Sequence, residues 1–492
     1  MRFRSTLVLL LLLVGLGAYV YWVEVPKSEE EAKKKTLFEF KADDVTEVSL
    51  VYADSEIVLK KAGEDWRLTK PLDTAADATT VKNLINAIAE AEVKKTFDDA
   101  ANLAQYGLDP PFAKVTVKLK DKDLPTVLVG KSTPVGFSAY VKRVDEPKVV
   151  LTTAAFRSGM DKKVKDLRDK TLLNFADKDV QKIEIHGEGK DLALVQKDDR
   201  WSIERPGKYA ADAAAMRTFL STLRSMRAVD FAADQPTDLG SYGLDKPRLK
   251  VSLYLGKDNA EKDILIGKDA ENKQLYVQGS GQPTVYVVSD WILRDLNKGI
   301  NDFRDKTVLA FDRDKIASVE VKRKDGGHFK LVRDDKQWRV EGIGEGKPAQ
   351  TAIGQYIGDL HDLVGYEIVA DGPTDLASLG LDQPLLTLSV FGEENKPLAT
   401  VLLGSRPGDS PKKDYTAMTE GGQTVFLVRD YLVTRLDKQP QDFIEKPTPL
   451  PASGTPSPQL NPGADEPEDE PMGDEPMGGA DPGDEPPGGE QD

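Results

Sequence analysis

The chain has 492 residues, with 67 Lys and Arg against 83 Asp and Glu, and a formal net charge of −16 at pH 7. This length predicts about three domains, and 39% hydrophobic with 30% charged residues is typical of globular domains. The negative charge argues against sequence-independent binding of nucleic acid, which needs an excess of basic residues. The chain has no Cys, which excludes disulfides, thiolate metal sites and cysteine nucleophiles.

The N-terminal end predicts a membrane anchor. Residues 1–4 carry two Arg and are predicted to be cytoplasmic, whereas residues 5–23 carry no charge and end among Tyr and Trp. A helix of that length spans about 29 Å, close to the ~30 Å hydrocarbon core of a bilayer. Acidic residues begin at Glu24, so the charge asymmetry places the N-terminus in the cytoplasm. The alternative is a cleaved signal peptide, but the residues around Trp22 are a poor cleavage site.

The C-terminal end has a different composition. Residues 447–492 hold 12 Pro, 8 Gly and 12 acidic residues, with no Lys, Arg or aromatic residue. Such a segment buries too little apolar surface to offset chain entropy, so we predict a disordered tail. It acts either as a solvating tail or as a docking segment for a basic partner. A linker is predicted at residues 24–37, between the anchor and the first domain.

A threefold repeat lies between these ends. Trp66, Trp201 and Trp338 recur at spacings of 135 and 137 residues, with similar neighbours. The period is far longer than that of solenoids or propeller blades, so each unit is long enough to be a domain. We predict three tandem homologous domains, here called the first, second and third copy, at residues 38–174, 175–310 and 311–446.

Each copy has the pattern of an α+β fold. Alternating apolar residues predict antiparallel β-meanders of about seven strands. Val81, Leu84, Ile85 and Ile88 follow helical spacing, as do their counterparts in the other copies, and predict a core-facing helix. A second, shorter helix is predicted near the end of each copy.

A Gly-Leu-Asp-x-Pro motif follows the first helix in every copy. The glycine suits a turn with positive φ, and the aspartate suits an Asx-turn. We therefore interpret the motif as structural, with a contact between domains or with a partner as the alternative. The recurring structural residues are Trp66, Trp201, Trp338, Gly107, Asp109, Gly243, Asp245, Gly380 and Asp382.

No set of residues in the sequence forms a catalytic, cofactor or metal motif. His186, His328 and His361 occupy positions that do not correspond between copies, whereas a metal or nucleophile site needs a clustered set. Gly130-Lys131-Ser132 resembles the end of a phosphate loop, but Pro125 stands where that loop needs Gly. We expect no catalytic residue, no cofactor, no metal, and no binding of nucleotide or nucleic acid.

These motifs together resemble a bacterial family known as domain of unknown function 4340, over residues 38–446. The third copy departs from the pattern: it has Leu379 in place of Tyr and lacks the Arg-Asp-Lys-Thr ending found at Arg168–Thr171 and Arg304–Thr307. The resemblance implies single-pass, envelope-facing proteins, some encoded near ABC-type permeases and gliding-type auxiliary subunits. It implies no catalytic residue.

Two functions remain open at this point. The first is a non-enzymatic, membrane-tethered envelope protein at the inner membrane, serving as accessory or scaffold subunit of an ABC-type transporter or surface apparatus. Its partners would be the bilayer, through residues 5–23, and envelope proteins. The alternative is an envelope hydrolase or glycan-binding protein with a carboxylate site between domains. Two carboxylates ~5–10 Å apart in one cleft would favour the hydrolase.

Overall fold

The computed structural model describes residues 35–98, 102–135, 138–342, 346–372, 374–405 and 414–445. The predicted anchor at 5–23 and the predicted acidic tail at 447–492 lie outside these residues. Within the described ranges, every helix is too short or too polar to cross a membrane.

The first copy is built on one antiparallel sheet of nine strands with three helices against it. The strand order is β4-β3-β2-β1-β6-β7-β8-β9-β5, so two meanders join through the pair β1–β6. The strands are β1 (Val45–Val51), β2 (Glu56–Ala62), β3 (Asp65–Lys70), β4 (Thr74–Ala75), β5 (Lys95–Phe97), β6 (Ala113–Leu119), β7 (Val127–Ser132), β8 (Ser138–Arg143) and β9 (Val149–Thr153). The helices are α1 (Ala78–Ala89), α2 (Ala154–Met160) and α3 (Val164–Leu167).

The second copy repeats this arrangement, again with nine strands in the corresponding order. Its strands are β10 (Val180–Gly187), β11 (Lys190–Lys197), β12 (Arg200–Arg205), β13 (Tyr209–Ala210), β14 (Asp230–Ala233), β15 (Leu249–Leu255), β16 (Ala260–Ala270), β17 (Gln274–Gly279) and β18 (Val285–Ser289). Its helices are α4 (Ala213–Ser225), α5 (Trp291–Leu296) and α6 (Ile300–Phe303).

Among the described residues, the third copy has eight strands, and none of them corresponds to β4 and β13. The side chain of Gln350 takes over that pairing: its amide accepts from the N–H of Trp338 and donates to its carbonyl oxygen, both at 2.7 Å. The strands are β19 (Ser318–Arg323), β20 (His328–Asp334), β21 (Gln337–Glu341), β22 (Glu367–Asp371), β23 (Leu386–Phe391), β24 (Pro397–Ser405), β25 (Tyr415–Thr419) and β26 (Thr424–Val428). The helices are α7 (Gln350–His361) and α8 (Asp430–Leu436).

The fold is three repeated domains, mainly antiparallel β with few helices, and this part of the prediction is confirmed. The estimate of about seven strands per copy was too low. The two-residue strands β4 and β13 are too short to show alternation, and β5 with its counterparts pairs far along the chain, beside β9. The meanders predicted in each copy are the two halves of one continuous sheet.

One face of each sheet packs on the apolar stripe of the longest helix. In the second copy Met216, Phe219, Leu220 and Leu223 of α4 are at most 4% exposed and share a core with the sheet. Trp201 is only partly buried beside this core. Removing its ring therefore costs less than the ~3–5 kcal/mol typical of a fully buried aromatic side chain.

The N-terminus of the long helix offers a matched pair of tests. Asp212 caps α4 by accepting from the N–H groups of Ala214 and Ala215 at 2.7 and 2.8 Å, whereas Ala349 stands at the same position of α7 without a side-chain cap. We expect Asp212→Ala to destabilise the second copy by about 1 kcal/mol and Ala349→Asp to stabilise the third by a similar amount. Urea unfolding of both variants measures this, and equal signs for the two changes would contradict it.

Candidate functional site: the joints between the copies

The Arg-Asp-Lys-Thr segments connect one copy to the next. After α3 the chain runs along strand β4, where the N–H of Asp169 donates to the carbonyl oxygen of Ala75 at 3.0 Å. It then reaches the second copy, where Ala228 N–H donates to Lys170 O at 2.9 Å. Residues 304–307 make the corresponding bonds between the second and third copies. We call these two contacts the first joint and the second joint.

The core of the next copy begins directly after each joint. Leu172 and Leu173 are 1% and 3% exposed and belong to the core of the second copy. Val308 and Leu309 likewise belong to the third core. The change from one core to the next therefore falls a few residues before the predicted boundaries at 174 and 310.

A buried arginine sits at each joint. Arg168 is 6% exposed, pairs with Asp234 of the second copy, and its guanidinium lies 3.7 Å from the ring centre of Phe231. The planar guanidinium suits both interactions, since it pairs with a carboxylate while it stacks on an aromatic ring.

The second joint makes more bonds around its arginine. Arg304 is 7% exposed and reaches both oxygens of Asp371, at 2.9 and 3.2 Å. Its guanidinium lies 3.9 Å from the ring centre of Tyr209, whose hydroxyl donates to Asp371 at 3.1 Å. The bond from Arg304, which outweighs the opposing effect of burial, holds the pKa of Asp371 below its usual range, and Thr424 and Tyr209 add to this.

The third copy lacks this arginine at its own end. Ile444 occupies the equivalent place, because its bridge to Pro348 corresponds to that of Arg168 with Ala76. Glu445 follows and pairs with Lys347 at 2.8 Å. The departure seen in the sequence thus corresponds to a structural difference: an apolar residue stands where Arg168 and Arg304 pair with the following copy.

The Gly-Leu-Asp-x-Pro turns lie within the copies, away from the arginine contacts. Gly107, Gly243 and Gly380 have φ of +65, +68 and +68° and end short 3₁₀ turns. A Cβ on Gly243 would lie 2.9 Å from the N–H nitrogen of Lys268, so the turn packs closely on strand β16. The expected Asx-turn bonds are not made: Asp109, Asp245 and Asp382, all within the described residues, have no side-chain hydrogen bond.

The other candidate residues are not brought together. Trp66, Trp201 and Trp338 lie one in each sheet, on β3, β12 and β21, and are partly buried. The histidines lie apart and each faces a nearby carboxylate, with distances of 3.1 Å to Asp191, 2.8 Å to Glu320 and 2.7 Å to Asp362. Among the described residues no group of three metal-ligating side chains is present.

The roles of Arg168, Arg304 and their aspartate partners were not predicted from the sequence. The available signal was the Arg-Asp-Lys-Thr motif itself, which occurs in the first two copies and is missing in the last. A residue that contacts the following copy is expected in the first two copies, because each of these is followed by another copy.

We expect Arg304→Ala to weaken the second joint. It removes a bond to a charged group and leaves Asp371 without its main partner, so the loss is about 1–3 kcal/mol. The matched control is Arg248→Ala, which removes an exposed Arg–Asp pair within the second copy and should cost less than about 1 kcal/mol. Hydrogen exchange near Thr307 measures the joint, and equal protection in both variants would contradict its role.

The second joint should also weaken in acid. Because the pKa of folded Asp371 is lowered, its ion pair contributes stability above the ordinary pKa of about 4, and this contribution is lost as pH falls through the lowered value. The protection factor of the Gly365 N–H, which donates to Lys306 O across the second joint, should therefore fall as the pH falls below 4 in the wild type, and less so in Arg304→Ala. The same pH profile in both proteins would contradict this.

Comparison with known proteins gives a family but no named relative. The family model described as "Domain of unknown function (DUF4340)" matches residues 66–237, 201–356 and 349–448. The first match crosses the first joint, and the second match crosses the second joint. No curated protein matches the sequence. The three matches span most of the chain, so the chain belongs to the DUF4340 family.

Proposed function

We propose that the chain is a non-enzymatic, membrane-tethered envelope protein, an accessory or scaffold subunit of an ABC-type transporter or surface apparatus. Residues 5–23 are its anchor in the inner membrane, with the N-terminus in the cytoplasm and the copies on the outer side. The observation that carries the proposal is the pair of joints. Buried arginines and the backbone hydrogen bonds of the connecting segments fix each copy against the next, as a scaffold that holds partners at set positions requires.

Exposed aromatic residues offer a surface for such partners. Trp291 and Tyr431 are 43% and 57% exposed and occupy corresponding positions at the start of α5 and α8. Aromatic side chains are enriched at protein interfaces and carry much of their binding energy. The second and third copies therefore present equivalent contact points.

The acidic groups support this proposal over a hydrolase. A general acid of a glycosidase has a raised pKa. The described carboxyl groups whose pKa departs clearly from the usual range all have it lowered; for Glu184, burial opposes this, but bonds from Lys182 and Tyr254 lower the pKa to about 2. The carboxylates at the first joint are engaged too: Asp73 with Arg67 at 2.8 Å, and Asp169 with the N–H of Thr171 at 2.9 Å.

The test combines topology and partner contact. A reporter enzyme that works only outside the cytoplasm, fused after Lys446, should be active. A photoreactive residue placed at Arg294, beside Trp291 on α5, should crosslink in intact membranes to a permease or other envelope subunit. The double change Trp291→Ala and Tyr431→Ala should lower that yield several-fold, because it removes both aromatic contacts.

The control is Val135→Ala, which changes an apolar residue that is 86% exposed in the first copy and should leave the crosslink yield unchanged. An inactive reporter would overturn the anchor and its orientation. Turnover of a glycan, peptide or phosphoester by the purified chain, lost on changing one carboxylate, would overturn the non-enzymatic role in favour of the hydrolase.

A further inference from the structure

The first joint contains a cleft between the first and second copies. Its volume is about 730 Å³, within the usual range for small-molecule sites of about 300–1,000 Å³. The first copy contributes strands β3 and β4 to its wall, the connecting segment contributes Arg168, and the second copy contributes Asp234 and the turn between β17 and β18.

The two joints differ at the residue that faces the arginine. By strand register, Thr74 of β4 corresponds to Tyr209 of β13, since they pair with Leu68 and Ile203 respectively. In the second joint the ring of Tyr209 covers Arg304, and Gly207 leaves room for it, because a Cβ there would lie 2.6 Å from that ring. The first copy has Leu72 and Thr74 at these two positions. Its smaller Thr74 provides neither the ring nor its hydroxyl bond.

The hydrogen-bonding groups of the first joint are correspondingly less satisfied. Asp371 receives bonds from Arg304, Thr424 and Tyr209, whereas Asp234 receives one, from Arg168 Nη2. The Asp234 side chain is 50% exposed, compared with 34% for Asp371.

Two polar atoms in the wall of the cleft are buried without a partner. They are Nε of Arg168, a donor, and Oε1 of Gln282, an acceptor. Arg168 is 6% exposed, so 94% of its surface is buried. A buried polar atom without a hydrogen bond costs about 1–3 kcal/mol, so a ligand group that bonds either atom is favoured here.

We propose that this cleft binds a neutral saccharide through its hydroxyl groups. Each hydroxyl both donates and accepts, so a sugar supplies donors for Asp234 and Gln282 and an acceptor for Arg168. The charges favour a neutral ligand, because Arg67 and Arg168 face three aspartates across the cleft. The second joint shows the chemistry on which this rests: there a protein hydroxyl, that of Tyr209, fills the equivalent place on the aspartate. The inference goes beyond the proposed scaffold role and does not depend on it.

The test titrates the purified full-length chain, in a detergent without a sugar headgroup, with glucose trimers of α-1,4 and β-1,4 linkage and with the N-acetylglucosamine trimer. Calorimetry should detect one site for at least one of these trimers. The double change Leu72→Gly and Thr74→Tyr, which copies the second joint into the first, should abolish binding. Gln282→Ala should weaken it about ten-fold.

The matched control is Gln274→Ala, at the opposite end of β17 from the cleft, which should bind like the wild type. The thermal midpoint of every variant is measured, and the Gln282→Ala titration is decisive if the double variant does not fold. The proposal is overturned if no trimer binds, if the variants bind as well as the wild type, or if a tyrosine-containing peptide binds the cleft and no sugar does. None of these results would change the crosslinking that we expect between the chain and envelope subunits. The saccharide proposal and the scaffold proposal can therefore fail independently.

Discussion

The structure depends on the way each copy is completed by the chain that precedes it. The sheet and helix of the second copy enclose Leu172 and Leu173, which directly follow the connecting segment, and Arg168 of that segment is buried. Burial of a guanidinium is costly unless it is paired and bonded, so the ion pair and the core form together. The buried ion pair therefore couples consecutive copies in stability.

Each joint contains one buried arginine, but the two arginines stack on different aromatic partners. Arg168 stacks on Phe231 of the following copy, whereas Arg304 stacks on Tyr209 of its own copy. Each solution buries the guanidinium about equally, and the first joint has a cleft beside its aspartate. Repetition preserves the structural contact, and divergence at two neighbouring positions, Leu72 and Thr74 in the first copy against Gly207 and Tyr209 in the second, creates the difference on which a specific function can act.

Much of the fold could be predicted because its signals are periodic. The helix stripe of Val81 to Ile88 and the alternation of the long strands follow directly from burial on one face. The edge strand β4 and the role of Gln350 in the third copy could not be predicted, because a two-residue strand and an amide substitute have no period. The cleft could not be predicted from the sequence either, because it depends on Thr74 and Gln282, which lie far apart in sequence and recur in no motif.

The start of the first copy follows the same rule as the joints. Leu37 is 5% exposed in the first core, its N–H donates to Ala91 O at 2.7 Å, and the bridge of Thr36 to Glu92 corresponds to that of Thr171 to Arg227. The chain thus enters the first copy by the route that the copies use to enter one another. At this end Asp98, the counterpart of Asp234, pairs with Lys148 of its own copy at 3.3 Å. A membrane anchor at residues 5–23, as proposed above, would therefore join an array whose first described residues are already bonded to and buried in the first core.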